Sequence, residues 1–152
     1  MKRLLVIIDM VNGFVKEGNL SDKKINKITP FIISHIEEFI SSGEPIITFR
    51  DSHSVDDPEM KDYPLHCLKG TYESLLIDEL TPYKKYFFDI EKNTTNGFET
   101  SAFKEYISKN YFDEVYITGC CTDICVETFA NSLLNFELLH ITFPSVSSII
   151  IG

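Results

Sequence analysis

Apolar and polar positions along the chain fall into blocks that read alternately as strands and helices. Leu4–Asp9 reads as a strand, a continuous apolar run up to Ile8 that predicts cover on both faces. Thr29-Pro30 reads as a cap followed by proline in the first helical turn. Ile33, Ile36, Phe39 and Ile40 then follow helical spacing up to Ser41-Ser42-Gly43. Pro45–Phe49, Tyr86–Ile90 and Glu114–Thr118 predict further strands, and Leu138–Phe143 a fifth. Tyr72–Leu80 and Thr100–Asn110 predict helices, and a tight turn over Gly119–Asp123 leads into another from Ile124 to Leu134. The tail Ser145–Gly152 has no evident partner segment. Strands that alternate with helices indicate crossover units, hence an α/β fold with a mainly parallel sheet between helical layers.

The predicted strands end in polar groups: Asp9 after the first, Arg50-Asp51-Ser52-His53 after the second, Glu91-Lys92-Asn93 after the third. Open α/β sheets bind ligands at this carboxyl edge. Ser54–Thr71 contains Pro58, Pro64 and Gly70 and no period, so it reads as a long loop, and loops of that length are commonly functional. It carries His66 and Cys67.

Composition narrows the possibilities. With 152 residues, 43% of them hydrophobic, the chain can bury roughly two-thirds of its unfolded surface as one domain spanning 1–152. There are no internal repeats or linkers. Fourteen basic against 23 acidic residues leave a net charge of −9, which disfavours nucleic acid and anionic membranes as partners. The apolar run Leu4–Ile8 is too short for a signal peptide or a membrane span, so a soluble, cytoplasmic protein is expected. Of the four cysteines, Cys120, Cys121 and Cys125 fall close together, a pattern of reduced thiols rather than a disulfide framework.

Two constellations could carry chemistry. Cys125 stands at the start of a predicted helix, where unpaired N–H groups favour a thiolate and could hold an oxyanion. Asp9 could accept its proton, and Lys92 could supply a positive charge that favours the anion. The commonplace alternatives are a buried structural cysteine, a loop-capping aspartate and a solvated lysine. The second constellation is Asp51, His53 and His66, one carboxylate and two imidazoles, all ligands for first-row transition metals, with polar loop residues as the alternative. His35 and His140 read as structural.

Longer stretches carry a resemblance: Ile7-Ile8-Asp9-Met10-Val11-Asn12-Gly13-Phe14, Asp51-Ser52-His53, Tyr63 through Thr71, Lys92, and Gly119-Cys120-Cys121-Thr122-Asp123-Ile124-Cys125-Val126. The chain is similar to the nicotinamidases of the isochorismatase-like cysteine hydrolase superfamily from Leu4 to about Phe136. The resemblance implies a three-layer α/β/α sandwich, Rossmann- or flavodoxin-like, and hydrolysis of nicotinamide to nicotinate and ammonia in NAD salvage. Asp9, Lys92 and Cys125 then match the catalytic triad. The backbone N–H groups of Cys121 and Cys125 match the oxyanion hole, with a cis peptide between Cys120 and Cys121. Asp51, His53 and His66 match the metal ligands, for zinc, with iron or manganese suiting the same donors. Phe14 and Tyr63 match the aromatic positions that hold the substrate ring, Tyr63 standing where tryptophan is frequent.

After Phe136 the family continues through a further strand and at least one more helix, whereas this sequence departs from about residue 137. A sheet truncated at its C-terminal edge is therefore expected. Exposed Ile149-Ile150-Ile151 would then promote association, which leaves a homo-oligomer open. Two other functions remain: another amidase of the superfamily acting on a carbamoyl or ureido compound, and a truncated, non-enzymatic remnant.

Overall fold

The computed structural model describes residues 2–120, 122–139 and 146–151. Five strands form one parallel sheet: β1 (Arg3–Ile8), β2 (Ile46–Asp51), β3 (Phe87–Lys92), β4 (Phe112–Gly119) and β5 (Val146–Ile151), in the order β3-β2-β1-β4-β5. The α/β fold with a parallel sheet is as the sequence predicts. Strand order reverses between β1 and β4, which makes their carboxyl ends the topological switch point where such sheets bind ligands.

The unbroken apolar run of β1 follows from its central place. Leu4, Val6 and Ile8 face a core built with α3 (Ser101–Lys109) and α4 (Glu127–Leu139), where the rings of Phe49, Phe103 and Phe129 lie 4.9 to 5.6 Å apart. Leu5 and Ile7 face the opposite core, against Ile32, Ile36 and Phe39 of α2 (Thr29–Ser41) and Ile77 and Leu80. Each β1 side chain thus meets a helical layer, and every one from Leu4 to Ile8 is buried.

Local chemistry sets several boundaries. α2 closes with Gly43 at φ +67, where the Gly43 N–H donates to Ile40 and the Glu44 N–H to Phe39, the two bonds of a left-handed glycine cap. Thr29 is the first residue of that helix rather than its cap, because a 3-10 helix over Lys23–Ile28 runs directly into it.

Other expectations are corrected. Tyr72–Leu80 forms two 3-10 helices, Tyr72–Ser74 and part of Asp78–Tyr86. The stretch between them is instead tied to the chain after β1: Leu75 accepts the Asn12 N–H, and Leu76 bridges Val11. Leu138 and Leu139, expected in a strand, are instead the last two residues of α4. The fifth strand comes later, in the tail expected to be partnerless, where Ile149, Ile150 and Ile151 pair with Val115, Tyr116 and Ile117. The rest of the Leu138–Phe143 prediction, His140 included, lies outside the described residues.

At the switch point Gly119 has φ +134, and a Cβ there would stand 2.1 Å from the Ile8 carbonyl oxygen. Only glycine lets β4 leave the sheet while the Cys120 N–H still donates to Ile8. Gly119→Ala should therefore destabilise the fold by about 2 to 5 kcal/mol, combining left-handed strain with overpacking. Urea unfolding measures this, and a loss under about 1 kcal/mol would mean that the switch point relaxes.

Candidate active site

Three strand ends converge at the switch point. Asp9 follows β1 in the left-handed region, at φ +55, with its N–H donated to Phe49 of β2. Lys92 is the last residue of β3 and pairs in register with Asp51, the last of β2. Beyond β4, a π-helical turn over Thr122–Val126 carries Cys125, so this residue precedes α4 rather than opening it. Single π turns inside helical segments are frequent at functional sites.

The Lys92 side chain is 1% exposed, and its ammonium faces three oxygens. Nζ lies 2.9 Å from Asp9 Oδ2 and 2.9 Å from Asp51 Oδ1, and it donates to the Thr94 carbonyl at 3.1 Å. A buried ammonium without such partners would lose its proton. Here burial lowers the Lys92 pKa, but the two carboxylates outweigh it and push the value above the ordinary lysine range. Asp9 is fully buried. Desolvation pushes its carboxyl up to about 6, against the pull of Lys92, and the Cys125 thiol lies within hydrogen-bonding reach of it.

The second group adjoins the first through Asp51. The ligand atoms of Asp51, His53 and His66 lie within 4.8 Å of one another, and all three residues are buried. His53 Nε2 stands 2.9 Å and His66 Nε2 3.4 Å from Asp51 Oδ2. The opposite ring nitrogens are anchored, His53 Nδ1 against Asp57 Oδ2 at 3.1 Å and His66 Nδ1 against the Pro64 carbonyl at 2.7 Å. Imidazoles held from behind in this way present Nε2 as a ligand. Burial raises the Asp51 pKa, but hydrogen bonds to His53 and His66 and the charge of Lys92 outweigh it and hold the carboxyl below the usual range.

Glu59 adjoins this group, and sequence reasoning missed it. Its Oε1 accepts from Thr95 Oγ1 at 3.1 Å, while its buried Oε2 lies 3.3 Å from His53 Nε2 and takes no hydrogen bond among the described residues. A buried carboxylate oxygen left free beside two aimed imidazoles fits a divalent cation, and the mixed oxygen and nitrogen donors suit zinc, iron or manganese.

A small, partly open pocket joins the two groups, lined by Phe14, Leu20, Asp51, Glu59, Tyr63, His66, Ile124 and Cys125. Ring centroids of Phe14 and Tyr63 lie 5.8 and 6.4 Å from that of His66. Tyr63 and Ile124 are partly exposed. The structure thus brings Asp9, Lys92 and Cys125 together, sets Asp51, His53 and His66 beside them, and puts Phe14 and Tyr63 on the shared cavity. Cys121 and the peptide joining it to Cys120 lie outside the described residues. Cys120 and Cys67 are buried, and burial pushes the Cys67 thiol up, so it stays protonated. No described helix is long and apolar enough to cross a membrane.

Comparison with known proteins agrees with this architecture. Residues 3–138 match the isochorismatase domain. Nicotinamidase 1 of Arabidopsis thaliana is 33% identical over 150 residues, covering 86% of this chain; the chain spans 59% of that relative's length. The crystal structure of a nicotinamidase from Bacillus subtilis superposes with a TM-score of 0.85 at 28% identity, over 100% of this chain and 84% of that one. The N-carbamoylsarcosine amidase of Thermoplasma acidophilum superposes with a TM-score of 0.84 at 32% identity, over 99% of this chain and 81% of that one. The chain belongs to the isochorismatase family of hydrolases.

Lys92→Met leaves two buried carboxylates facing each other and should lower the unfolding free energy by about 3 to 5 kcal/mol. The double variant Asp9→Asn/Lys92→Met should lose less than the sum of the single losses, by about 0.5 to 3 kcal/mol. Urea titration of the metal-free proteins measures both, and additive losses would show that the lysine and Asp9 are not coupled.

Proposed function

We propose that this isochorismatase-family hydrolase is a metal-dependent amidase that converts nicotinamide to nicotinate and ammonia, in pyridine nucleotide salvage. The observation that carries the reading is one cavity lined on one side by Cys125, which Asp9 and Lys92 back, and on the other by Glu59 and by Asp51 and His66, which form the candidate metal-ligand group with His53. The nicotinamidases among its relatives support the choice of substrate.

Asp9 takes the Cys125 thiol proton, and the sulfur attacks the carboxamide carbon. Backbone N–H groups at Cys121 and Cys125 receive the charge that develops on the carbonyl oxygen. The proton returns from Asp9 to the leaving nitrogen, the C–N bond breaks, and ammonia departs from a thioester. Water attacks the thioester with Asp9 as base, nicotinate forms and the thiol is regenerated. Lys92 keeps its charge throughout and stabilises the anionic forms of its neighbours. Asp51, His53 and His66, with Glu59 Oε2 facing the same space, would hold a divalent cation that supplies a Lewis-acid anchor for a ring nitrogen. Phe14 and Tyr63 would flank the ring, contributing about 0.5 to 1.5 kcal/mol beyond burial for an offset contact.

A second reading rests on the 32% identity to N-carbamoylsarcosine amidase: hydrolysis of a carbamoyl compound. Substrate comparison separates the two. The purified protein loaded with zinc should release ammonia from nicotinamide, and Cys125→Ala should slow release by about 1,000-fold or more. Release from N-carbamoylsarcosine alone would favour the second reading. Because Asp9 must be ionised to accept the thiol proton, kcat/KM should rise with pH through about 6 and fall away below it. A profile that is flat there would remove Asp9 as the base.

A further inference from the structure

We infer that Glu73 is a positioning residue for the two imidazoles, fixing through the Cys67 peptide the angle at which His53 and His66 face their common space. The inference rests on the metal-dependent reading above and concerns a residue that does not line the cavity.

The Cys67 backbone is the junction of the two histidines. Its carbonyl accepts the His53 N–H at 2.9 Å, and the His53 carbonyl accepts the Lys69 N–H at 2.8 Å, so the chain around His53 and the chain after His66 pair as a short parallel bridge. Its own N–H belongs to the peptide that follows His66 directly. Cys67 also has φ +45, a left-handed conformation that a residue with a side chain rarely adopts unless its surroundings hold it there. The group that holds it is the Glu73 carboxylate, whose Oε2 accepts the Cys67 N–H at 2.8 Å.

Glu73 is itself held in place, although half-buried. It lies in the 3-10 helix Tyr72–Ser74, whose Tyr72 carbonyl accepts from Asn12 Nδ2 at 3.0 Å, so its backbone is tied to α1 (Asn12–Val15) just beyond Asp9. Its side chain runs through space kept by two glycines. A Cβ on Gly13 would meet Glu73 Cβ at 2.9 Å and Cys67 Sγ at 2.7 Å, and a Cβ on Gly18 would meet Glu73 Oε1 at 2.8 Å. Gly13, Gly18, Glu73 and Cys67 thus form one interlocked unit, and its output is the orientation of the His66–Cys67 peptide. The result is visible in the ring pair: His53 and His66 stand 4.8 Å apart at 67°. Removing the acceptor frees the left-handed peptide to relax, and both rings lose their common aim.

The test is zinc affinity of the metal-stripped protein, read by competition with a chromophoric chelator at neutral pH, with thermal unfolding and Cys125 alkylation by iodoacetamide measured on the same samples. Glu73→Met keeps the shape and removes the acceptor. It should weaken zinc binding by about 10-fold or more, the scale of lost outer-shell support, with Cys125 alkylation unchanged. Glu73→Gln keeps an acceptor oxygen and should recover most of that affinity. Gly18→Ala, which displaces the carboxylate from outside, should weaken zinc binding in the same sense if Glu73→Met does not fold. Wild-type zinc affinity in Glu73→Met overturns the inference, as does a parallel loss of alkylation and folding, which would mark a general structural role. A wild-type protein that binds no zinc overturns the metal-dependent reading and this inference with it. Zinc binding that depends on Glu73 in a protein inactive on nicotinamide would uphold the inference and reject only the substrate.

Discussion

The site is organised around one buried ammonium. β1 and β2 lie side by side in register, so the carboxylates that end them, Asp9 and Asp51, are neighbours at the sheet edge with almost no water to screen them. Two such anions cannot both stay ionised without a cation between them. β3 supplies it: the last rung of the β2–β3 ladder pairs Asp51 with Lys92, and Nζ reaches both carboxylates at 2.9 Å. The proton affinities of the neighbourhood follow from this arrangement. Asp51 is held ionised by Lys92 and two imidazoles, whereas Asp9, fully desolvated and near a second carboxylate, rises to a range where it can both take and return a proton. One lysine therefore joins the cysteine half of the site to the histidine half.

The sheet makes this possible by being covered on both sides. Side chains of β1 alternate between the phenylalanine-rich core under α3 and α4 and the aliphatic core under α2, which fixes the height of each strand end to within a rung. Rigid strand ends then aim Asp9, Asp51 and Lys92, while the π turn after Gly119 aims Cys125. The remaining groups come from the loop between β2 and β3. That loop is shaped by polar contacts rather than by a core: Asp57 behind His53, Pro64 behind His66, Thr95 behind Glu59 and Glu73 behind Cys67. Two left-handed residues with side chains, Asp9 and Cys67, border the two halves of the site, and each is held by hydrogen bonds from a different part of the chain.

What could be read from the sequence follows the same division. β1 is legible because a strand buried on both faces is an unbroken apolar run, and the polar residues that end β1, β2 and β3 point to the cleft. Lys92 is legible as a strand-end charge, but its burial is not, since that depends on the register that sets it opposite Asp51. Glu59 is hidden among Asp56, Asp57 and Asp62 in an aperiodic loop, where nothing in the spacing separates a buried carboxylate from solvated ones. The last strand is not where the apolar stretch Leu138–Phe143 predicts it, since that stretch begins inside α4 and the strand lies at Val146–Ile151. The 3-10 segments around Tyr72–Tyr86 obey pairing with Val11 and Asn12, a long-range constraint that no local pattern carries.

The account stands on the charge of Lys92 acting on the sulfur of Cys125, and the rate of Cys125 alkylation by iodoacetamide between mildly acidic and neutral pH reads it most directly. Lys92→Met should react more slowly than the wild-type protein across that range, with its reactivity recovered only at higher pH, because the thiolate has lost its opposite charge. Equal rates for the two proteins at every pH would contradict the account.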